Sequence, residues 1–374
     1  MSLFHIDAGK EWRGGQRQSL FLVREIYRRG YPVYFVVQPK SPLHKKAKEA
    51  GLPILPVRMR SEADLLAVVR LAVFMKMRKC RLAHFHDAHS LAVGSAAASL
   101  AGTPIRIMTR RVDFPLKKNF FSKRKYQKNL DALIAISKGV KKVLVEGGVD
   151  PQLVKVIPSG IDFSPYTDLL PCNYLRKELS FKPKDFLVGI IAHLADHKGH
   201  KYLIRAAKIL KEKAPRIKVI IVGKGPLEME LKQQSRKSHV DDMVYFLGFR
   251  EDIPQILCSL DVFVLSSYLE GMGSTILDAM ACSLPVVATR TGGIPEVVKN
   301  TVTGILVPPK DPAALSEAIL TLYKDKKLGR ELGVKGSEVV REKYSAESMA
   351  GKVMDLYERI AVKKGIKLDG EHKD

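Results

Sequence analysis

The chain has 374 residues, 46% hydrophobic and 27% charged, proportions that suit a packed globular protein and exclude a disordered one. At roughly 150 residues per domain it is long enough for two domains, each with its own core. Lys and Arg outnumber Asp and Glu by 63 to 39, a formal charge of +24 that draws nucleic acid, anionic membrane surfaces or phosphorylated small molecules without choosing among them.

Apolar runs alternate with helical patterns along nearly the whole chain. Strands are expected at residues 3–7, 32–38, 54–57, 82–86, 105–109 and 132–136, then at 186–192, 218–222, 244–248, 262–266, 286–289 and 304–307. Most are continuous β-branched or apolar runs, as in parallel strands covered on both faces. Helical periodicity fills the gaps at 15–29, 63–78, 202–213, 227–237, 274–282 and 312–324. This alternation predicts two α/β units with parallel sheets. Residues 1–165 form the expected first domain, 166–184 a linker carrying Pro171 and Pro183, 185–345 the second domain, and 346–374 a last helix with a charged tail. No uncharged apolar run approaches the ~18 residues of a membrane span, and the first twelve residues lack the order of a signal peptide. Cys80, Cys172, Cys258 and Cys282 lie far apart without a CxxC pair. They predict scattered buried thiols in a reducing compartment, and neither a disulfide framework nor a zinc site.

Ligands of open α/β sheets bind beyond the carboxyl ends of the strands, so chemistry is sought in the loops there. The strongest signal is residues 262–281, where an apolar strand ends at Ser266 and Ser267. A loop follows with Glu270, Gly271 and Gly273, and then a helix starts near Ser274 and Thr275 with Asp278 in its first turn. Free N–H groups reached through glycines make an anion site, and flanking carboxylates suit sugar or ribose hydroxyls. The same Thr275-x-x-Asp278 also reads as a capping box. Residues 189–199 offer His193 and Lys198 as phosphate donors, with Gly199 at a tight entry. Gly223-Lys224-Gly225-Pro226 forms a further strand-to-helix turn, Gly14 and Gly15 open the first helix, and Pro158-Ser159-Gly160-Ile161-Asp162 marks the junction of the halves. Residues 101–128 hold nine basic residues, one acid (Asp113) and the aromatics Phe114, Phe120, Phe121 and Tyr126, a mixture suited to an anionic interface or to a solvated loop.

Taken in order, these segments resemble the retaining glycosyltransferases of family 4, which have the GT-B fold. The likeness rests on EGMGSTILDAMAC-x-x-PVVAT from Glu270, on Lys198-Gly199, the G-x-G-P turn at Gly223, Gly292-Gly293-Ile294-Pro295-Glu296, PSGID, and GILVPP-x-DP from Gly304. It implies two Rossmann-like domains facing a cleft, with the last helix crossing back to the first. It further implies a nucleotide-sugar donor, a glycan or lipid-linked acceptor with bacterial lipopolysaccharide core preferred, hexose transfer with retention, and no cofactor or metal. On this likeness Glu270, Lys198 and His86 are the candidate catalytic residues. Lys198 and the N–H groups of Gly273, Ser274 and Thr275 would hold the diphosphate and Asp278 the ribose. Glu270 would contact the sugar, Gly223 and Arg250 would border the base, and Gly14 and Gly15 would approach from the first domain. Arg110, Arg111 and Asp113 are acceptor candidates, standing where the family often has a histidine. A peripheral position on the cytoplasmic face of the inner membrane follows from the basic, aromatic segment.

Two other readings stay open: an epimerase or soluble-acceptor transferase of the same fold, and a non-enzymatic basic surface binder. No nucleic-acid motif accompanies the basic residues. Where the family has arginine this chain has His193, a titratable group. Donor affinity is therefore expected to fall as pH rises through neutrality; flat binding between about pH 6 and 8, measured by titration calorimetry, would refute this.

Overall fold

Runs rich in Val, Ile and Leu form the centres of two parallel sheets. The computed structural model describes residues 2–116, 125–167, 169 and 172–368. Its chain divides into unit 1, Met1–Gly160 with Ala346–Asp374, and unit 2, Ile161–Ser345.

Unit 1 carries β1 (Ser2–Asp7), α1 (Gly14–Arg28), β2 (Val33–Val37), α2 (Pro42–Glu49), β3 (Ile54–Pro56) and α3 (Leu65–Met77). β4 (Cys80–Phe85), α4 (Ala88–Leu100), β5 (Ile105–Arg110), β6 (Ala132–Ala135), α5 (Lys138–Glu146) and β7 (Val154–Val156) follow. Its sheet runs β3-β2-β1-β4-β5-β6-β7 with parallel pairing. Strand β7 was not anticipated: it is a three-residue edge strand with Lys155 exposed at its centre, too short to show a pattern. Caps open the helices where polar residues precede apolar runs, as at Asp64, whose side chain accepts from Ala67 N–H, and at Asp87, which forms a capping box with Ser90.

Unit 2 carries α6 (Tyr174–Glu178), β8 (Phe186–Ile191), α7 (His200–Lys213), β9 (Ile217–Val222), α8 (Glu228–Lys237), β10 (Val244–Gly248) and α9 (Ile253–Ser259). It continues with β11 (Val262–Leu265), α10 (Ser274–Ala281), β12 (Val286–Thr289), α11 (Ile294–Val297), β13 (Ile305–Val307), α12 (Pro312–Lys324) and α13 (Lys326–Lys343). The sheet order is β10-β9-β8-β11-β12-β13. In each sheet the winding reverses once, between β1 and β4 and between β8 and β11. At such a point two successive loops leave in opposite directions and open a crevice at the carboxyl edge.

Two boundaries differ from expectation. Residues 161–165 belong to unit 2, because Ile161 N–H donates to the Tyr344 carbonyl and Ile161 bridges to Ser345. The expected linker is folded there as well: Leu175 is fully buried, and Arg176 pairs with Asp261 at 2.7 Å. The cysteine reading also needs correction. Cys172 N–H donates to the Cys258 carbonyl, the Cα atoms stand 5.5 Å apart, and the two sulfurs form a disulfide across 86 residues of sequence. Cys80 and Cys282 stay free.

The last helix, α14 (Ala346–Lys363), returns to unit 1. Its face Met349, Ala350, Val353, Met354 and Tyr357 joins a core with Leu22, Val23 and Ile26 of α1. Tyr357 is fully buried, and its hydroxyl bonds His84 Nδ1. Replacing Tyr357 with Phe leaves that buried nitrogen unpaired, so it is expected to cost about 1–3 kcal/mol of stability in urea unfolding; a loss within error would show the bond to be dispensable.

Candidate functional site

In unit 2 the β8 and β11 loops are stitched together at the point where the winding reverses. Lys198 closes a 3-10 turn (Asp196–Lys198), and Gly199 follows at φ +69°. A Cβ on Gly199 would sit 2.1 Å from the Ser266 carbonyl oxygen, so only glycine allows the approach. Ser266 Oγ donates to the Lys198 carbonyl at 3.2 Å, and Tyr268 N–H donates to the His197 carbonyl at 2.9 Å. From the other side, Thr291 Oγ1 donates to the Tyr268 carbonyl at 3.0 Å and Gly293 N–H to the Glu270 carbonyl at 3.1 Å. The Gly-Gly-Ile-Pro-Glu segment thus clasps the loop that bears Glu270.

The result is an ion pair. Lys198 Nζ lies 2.6 Å from Glu270 Oε2, the side chains being 20% and 12% exposed. Ser267 Oγ donates to the same carboxylate oxygen at 3.2 Å. Three residues on, Gly273 at φ +80° is the N-cap of α10 and offers no capping side chain. The first N–H groups of a helix have no partner within it, so those of Ser274 and Thr275 are available to an anion.

Several candidates stand differently from expectation. Asp278 lies in the second turn of α10, not the first, and the Thr275–Asp278 capping box does not form. Asp278 is 1% exposed, and its carboxylate accepts from the Tyr166 hydroxyl at 3.0 Å. Arg250 joins Glu178 and Asp252, each at 2.6 Å, and donates to the Tyr174 hydroxyl. Its hydrogen bonds to the Asp252 and Glu178 carboxylates push its pKa up, and the guanidinium ties α6 to the start of α9. Gly223, at φ +139°, would bring a Cβ 2.0 Å from the Ala192 carbonyl oxygen; the G-x-G-P turn therefore lets the β8 and β9 loops pack. His193 is half-buried in the same β8 loop.

Sequence reasoning passed over His200, the first residue of α7. It is 2% exposed, and neither ring nitrogen has a partner. Burial, and then the charge of Lys198, lower its pKa to about 3. His197 is lowered by the same two causes. Burial beside Lys198 thus disfavours the charged form of both imidazoles.

Unit 1 has a second polar cluster, at its own reversal between β1 and β4. Gly14 is exposed and Gly15 half-buried at the start of α1, whose N-cap Arg13 makes no capping bond. His86, expected to act in catalysis, is buried within a stack. Arg111 Nη2 donates to His86 Nδ1 at 3.1 Å while Nη1 donates to the His86 carbonyl, so His86 Nε2 carries hydrogen and donates to His5 Nδ1 at 3.0 Å. His5 Nε2 is left buried without a partner. His84 uses both its nitrogens, on Tyr357 and on Thr109. His5, His84 and His86 place ligand atoms within 4.8 Å of one another. A zinc site would need a free lone pair from each ligand. Here hydrogen bonds claim all the ring nitrogens but one, and the Arg111 guanidinium lies alongside. The cluster therefore reads as a hydrogen-bonded stack.

The acceptor candidates are similarly engaged. Arg111 is held inward, its pKa lowered by burial to about 10 despite Asp7 and Asp87. Arg110 is buried and binds the Tyr126 hydroxyl at 3.0 Å and the Phe114 carbonyl, anchoring its own loop. Asp113 is buried as well. Of the basic segment, Lys117, Lys118, Lys123 and Arg124 lie outside the described residues, with Phe120 and Phe121. Lys125 pairs with Glu62 at 2.7 Å. Asp7, which no motif flagged, accepts from Ser19, Gln16 and Gly9; burial, with Asp87 nearby, pushes its pKa up.

Comparison with known proteins identifies both halves. The model of the family described as Glycosyltransferase Family 4 matches residues 12–164, and that of Glycosyl transferases group 1 matches residues 173–339. The chain is 27% identical over 387 residues to the UDP-Gal:alpha-D-GlcNAc-diphosphoundecaprenol alpha-1,3-galactosyltransferase of Escherichia coli, across 97% of this chain and 98% of that protein. It is 32% identical over 184 residues to the N-acetyl-alpha-D-glucosaminyl L-malate synthase of Bacillus anthracis, a match that spans 49% of this chain and 48% of that relative. Among solved structures, Anabaena HepE in complex with UDP-glucose is similar with a TM-score of 0.86 at 22% identity, over 96% of this chain and 100% of that one. The lipopolysaccharide outer core galactosyltransferase WaaB is similar with a TM-score of 0.68 at 15% identity, over 96% and 100%. Identities this low make these two likenesses of fold.

The buried imidazoles predict an acid-sensitive fold. The folded pKa of His200 is near 3 and that of an unfolded histidine is 6.5. Unfolding thus takes up a proton below that value, and the stability present above it is lost as pH falls. His200→Leu should flatten the pH dependence of unfolding free energy by about 1.4 kcal/mol per unit between about pH 6 and 4. An unchanged slope would place the acid sensitivity elsewhere.

Proposed function

The chain belongs to the family-4 glycosyltransferases of GT-B fold, and on that premise we propose that it transfers a hexose from a nucleotide-sugar to a lipid-linked glycan with retention of configuration. The observation that carries the reading is the Lys198–Glu270 pair, set in the crevice between β8 and β11 just before a helix whose N-cap has no side chain. A diphosphate entering there meets an ammonium and the N–H groups of Ser274 and Thr275, and it competes with Glu270 for the ammonium. As the glycosidic bond breaks, charge grows on the departing nucleoside diphosphate. Donors already in place stabilise that charge more than they stabilise the bound substrate, which lowers the barrier. Glu270, released from Lys198, is then able to accept hydrogen bonds from sugar hydroxyls.

These groups would neutralise the diphosphate without a divalent metal. A UDP-hexose is the proposed donor, supported by the names of the E. coli relative and the HepE complex. The same relative acts by name on a diphosphoundecaprenol-linked sugar, and WaaB by name on lipopolysaccharide outer core. Those names, with a charge of +24, support an anionic lipid-linked acceptor such as lipopolysaccharide core and a position on the cytoplasmic face of the inner membrane. Retention is supported by the family likeness.

A thermal-shift panel of UDP, GDP, ADP, CMP and their sugar conjugates tests the donor site. A nucleotide at a hundred times its Kd should add about 2.7 kcal/mol of stability. Lys198→Ala is expected to abolish that shift, whereas Glu270→Gln should keep it and lose sugar transfer. If no nucleotide moves the melting temperature of the wild-type protein, the reading fails.

A further inference from the structure

We propose that the outward face of α3 docks this protein on an anionic lipid bilayer. Helix α3 is apolar on both sides. Ala67, Val68, Leu71, Ala72 and Met75 are buried within unit 1, while Leu65, Leu66, Val69, Val73 and Met77 are exposed, Leu65 at 77% and Leu66 at 75%. At about 100° per residue the exposed five share one stripe along the helix. Scattered exposed apolar residues need no explanation, but a continuous stripe of large ones marks an interaction surface. With 13 residues α3 is too short to span a bilayer, and no helix among the described residues is long and apolar enough to do so.

The surrounding charge identifies the occupant. Residues 65–81 hold five basic residues and no acid. Arg70 flanks the stripe, Lys76 lies within its last turn, and Arg78 and Lys79 follow its end, all four exposed. An apolar face bordered by Lys and Arg is the pattern of a helix lying in a membrane interface, its side chains among the acyl chains and its cations among anionic headgroups. A second copy of this chain would bring an equally basic rim against the first, and like charges oppose that contact. The surface differs from the basic segment at 101–128, whose centre lies outside the described residues. Its purpose, delivery of the protein to a lipid-linked acceptor, rests on the proposed function; the surface itself does not.

The test uses the full chain and vesicles of phosphatidylcholine with about 30 mol% phosphatidylglycerol, with no donor or acceptor present. Wild type should co-sediment, and the variant carrying Leu66→Ser, Val69→Ser and Val73→Ser should bind at least about tenfold more weakly at an unchanged melting temperature. Val73→Trp should gain a blue-shifted emission component on vesicle addition. The proposal is overturned if the triple variant sediments like wild type, if wild type does not bind, or if light scattering shows a dimer that the triple variant dissolves. Transfer to a water-soluble acceptor, assayed separately, tells the two readings apart. Activity on it with unaltered vesicle binding by the triple variant removes only the docking surface, and loss of binding in a chain that transfers no sugar removes only the transferase reading.

Discussion

The site in unit 2 depends on the contact between Gly199 and the Ser266 carbonyl, an approach that leaves no room for a side chain. Around it the loops after β8 and β11 exchange hydrogen bonds, and Lys198 is set against Glu270 although 72 residues separate them. Sheet topology makes the contact possible. These two strands are neighbours, yet their outgoing connections turn opposite ways, so their loops meet only at the strand ends. The third participant, Gly292–Gly293, arrives from β12 and fixes the Glu270 carbonyl. The pair is thus held by backbone from the loops after three strands.

Unit 1 repeats the topology with different chemistry. Its reversal point gathers the buried Asp7 and three buried histidines beside the half-buried Asp87 and Arg111. Buried polar groups are costly unless bonded, and the direction of each bond here follows from the first. Arg111 has no acceptor, so His86 must accept from it and in turn donate to His5. The returning helix α14 completes the network by placing the Tyr357 hydroxyl on His84, which ties the end of the chain to the sheet laid down by its beginning.

The large positive charge is spread unevenly in kind. Some cations are consumed internally: Arg250 between Glu178 and Asp252, Arg176 on Asp261, Lys125 on Glu62. Others stay exposed beside apolar residues, as along α3. Net charge alone made anionic partners plausible everywhere on the surface; the packing of each helix decides where that charge is presented.

Much of the architecture was legible in the chain. Continuous apolar runs separated by amphipathic helices specify parallel strands covered on both faces, and twelve of the strands lie where those runs are; only β7, three residues at a sheet edge, lacked a pattern. Gly199 and Gly223 were readable as tight turns, and each packs against a backbone carbonyl where a side chain has no room; Gly273, at φ +80°, faces the side chains of Ile276 and Leu265 instead. What neighbours a polar side chain was not readable. Asp278, expected at the ribose, is buried against the Tyr166 hydroxyl; Arg250, expected beside the base, is paired with Glu178 and Asp252; His86, expected in catalysis, lies in a hydrogen-bonded stack; and Cys172 and Cys258, expected as separate thiols, form a disulfide. Backbone periodicity is local, so sequence alone determines it. The partner of a buried charge or hydroxyl is chosen by whichever distant residue the fold brings within about 3 Å, and only the tertiary structure decides that.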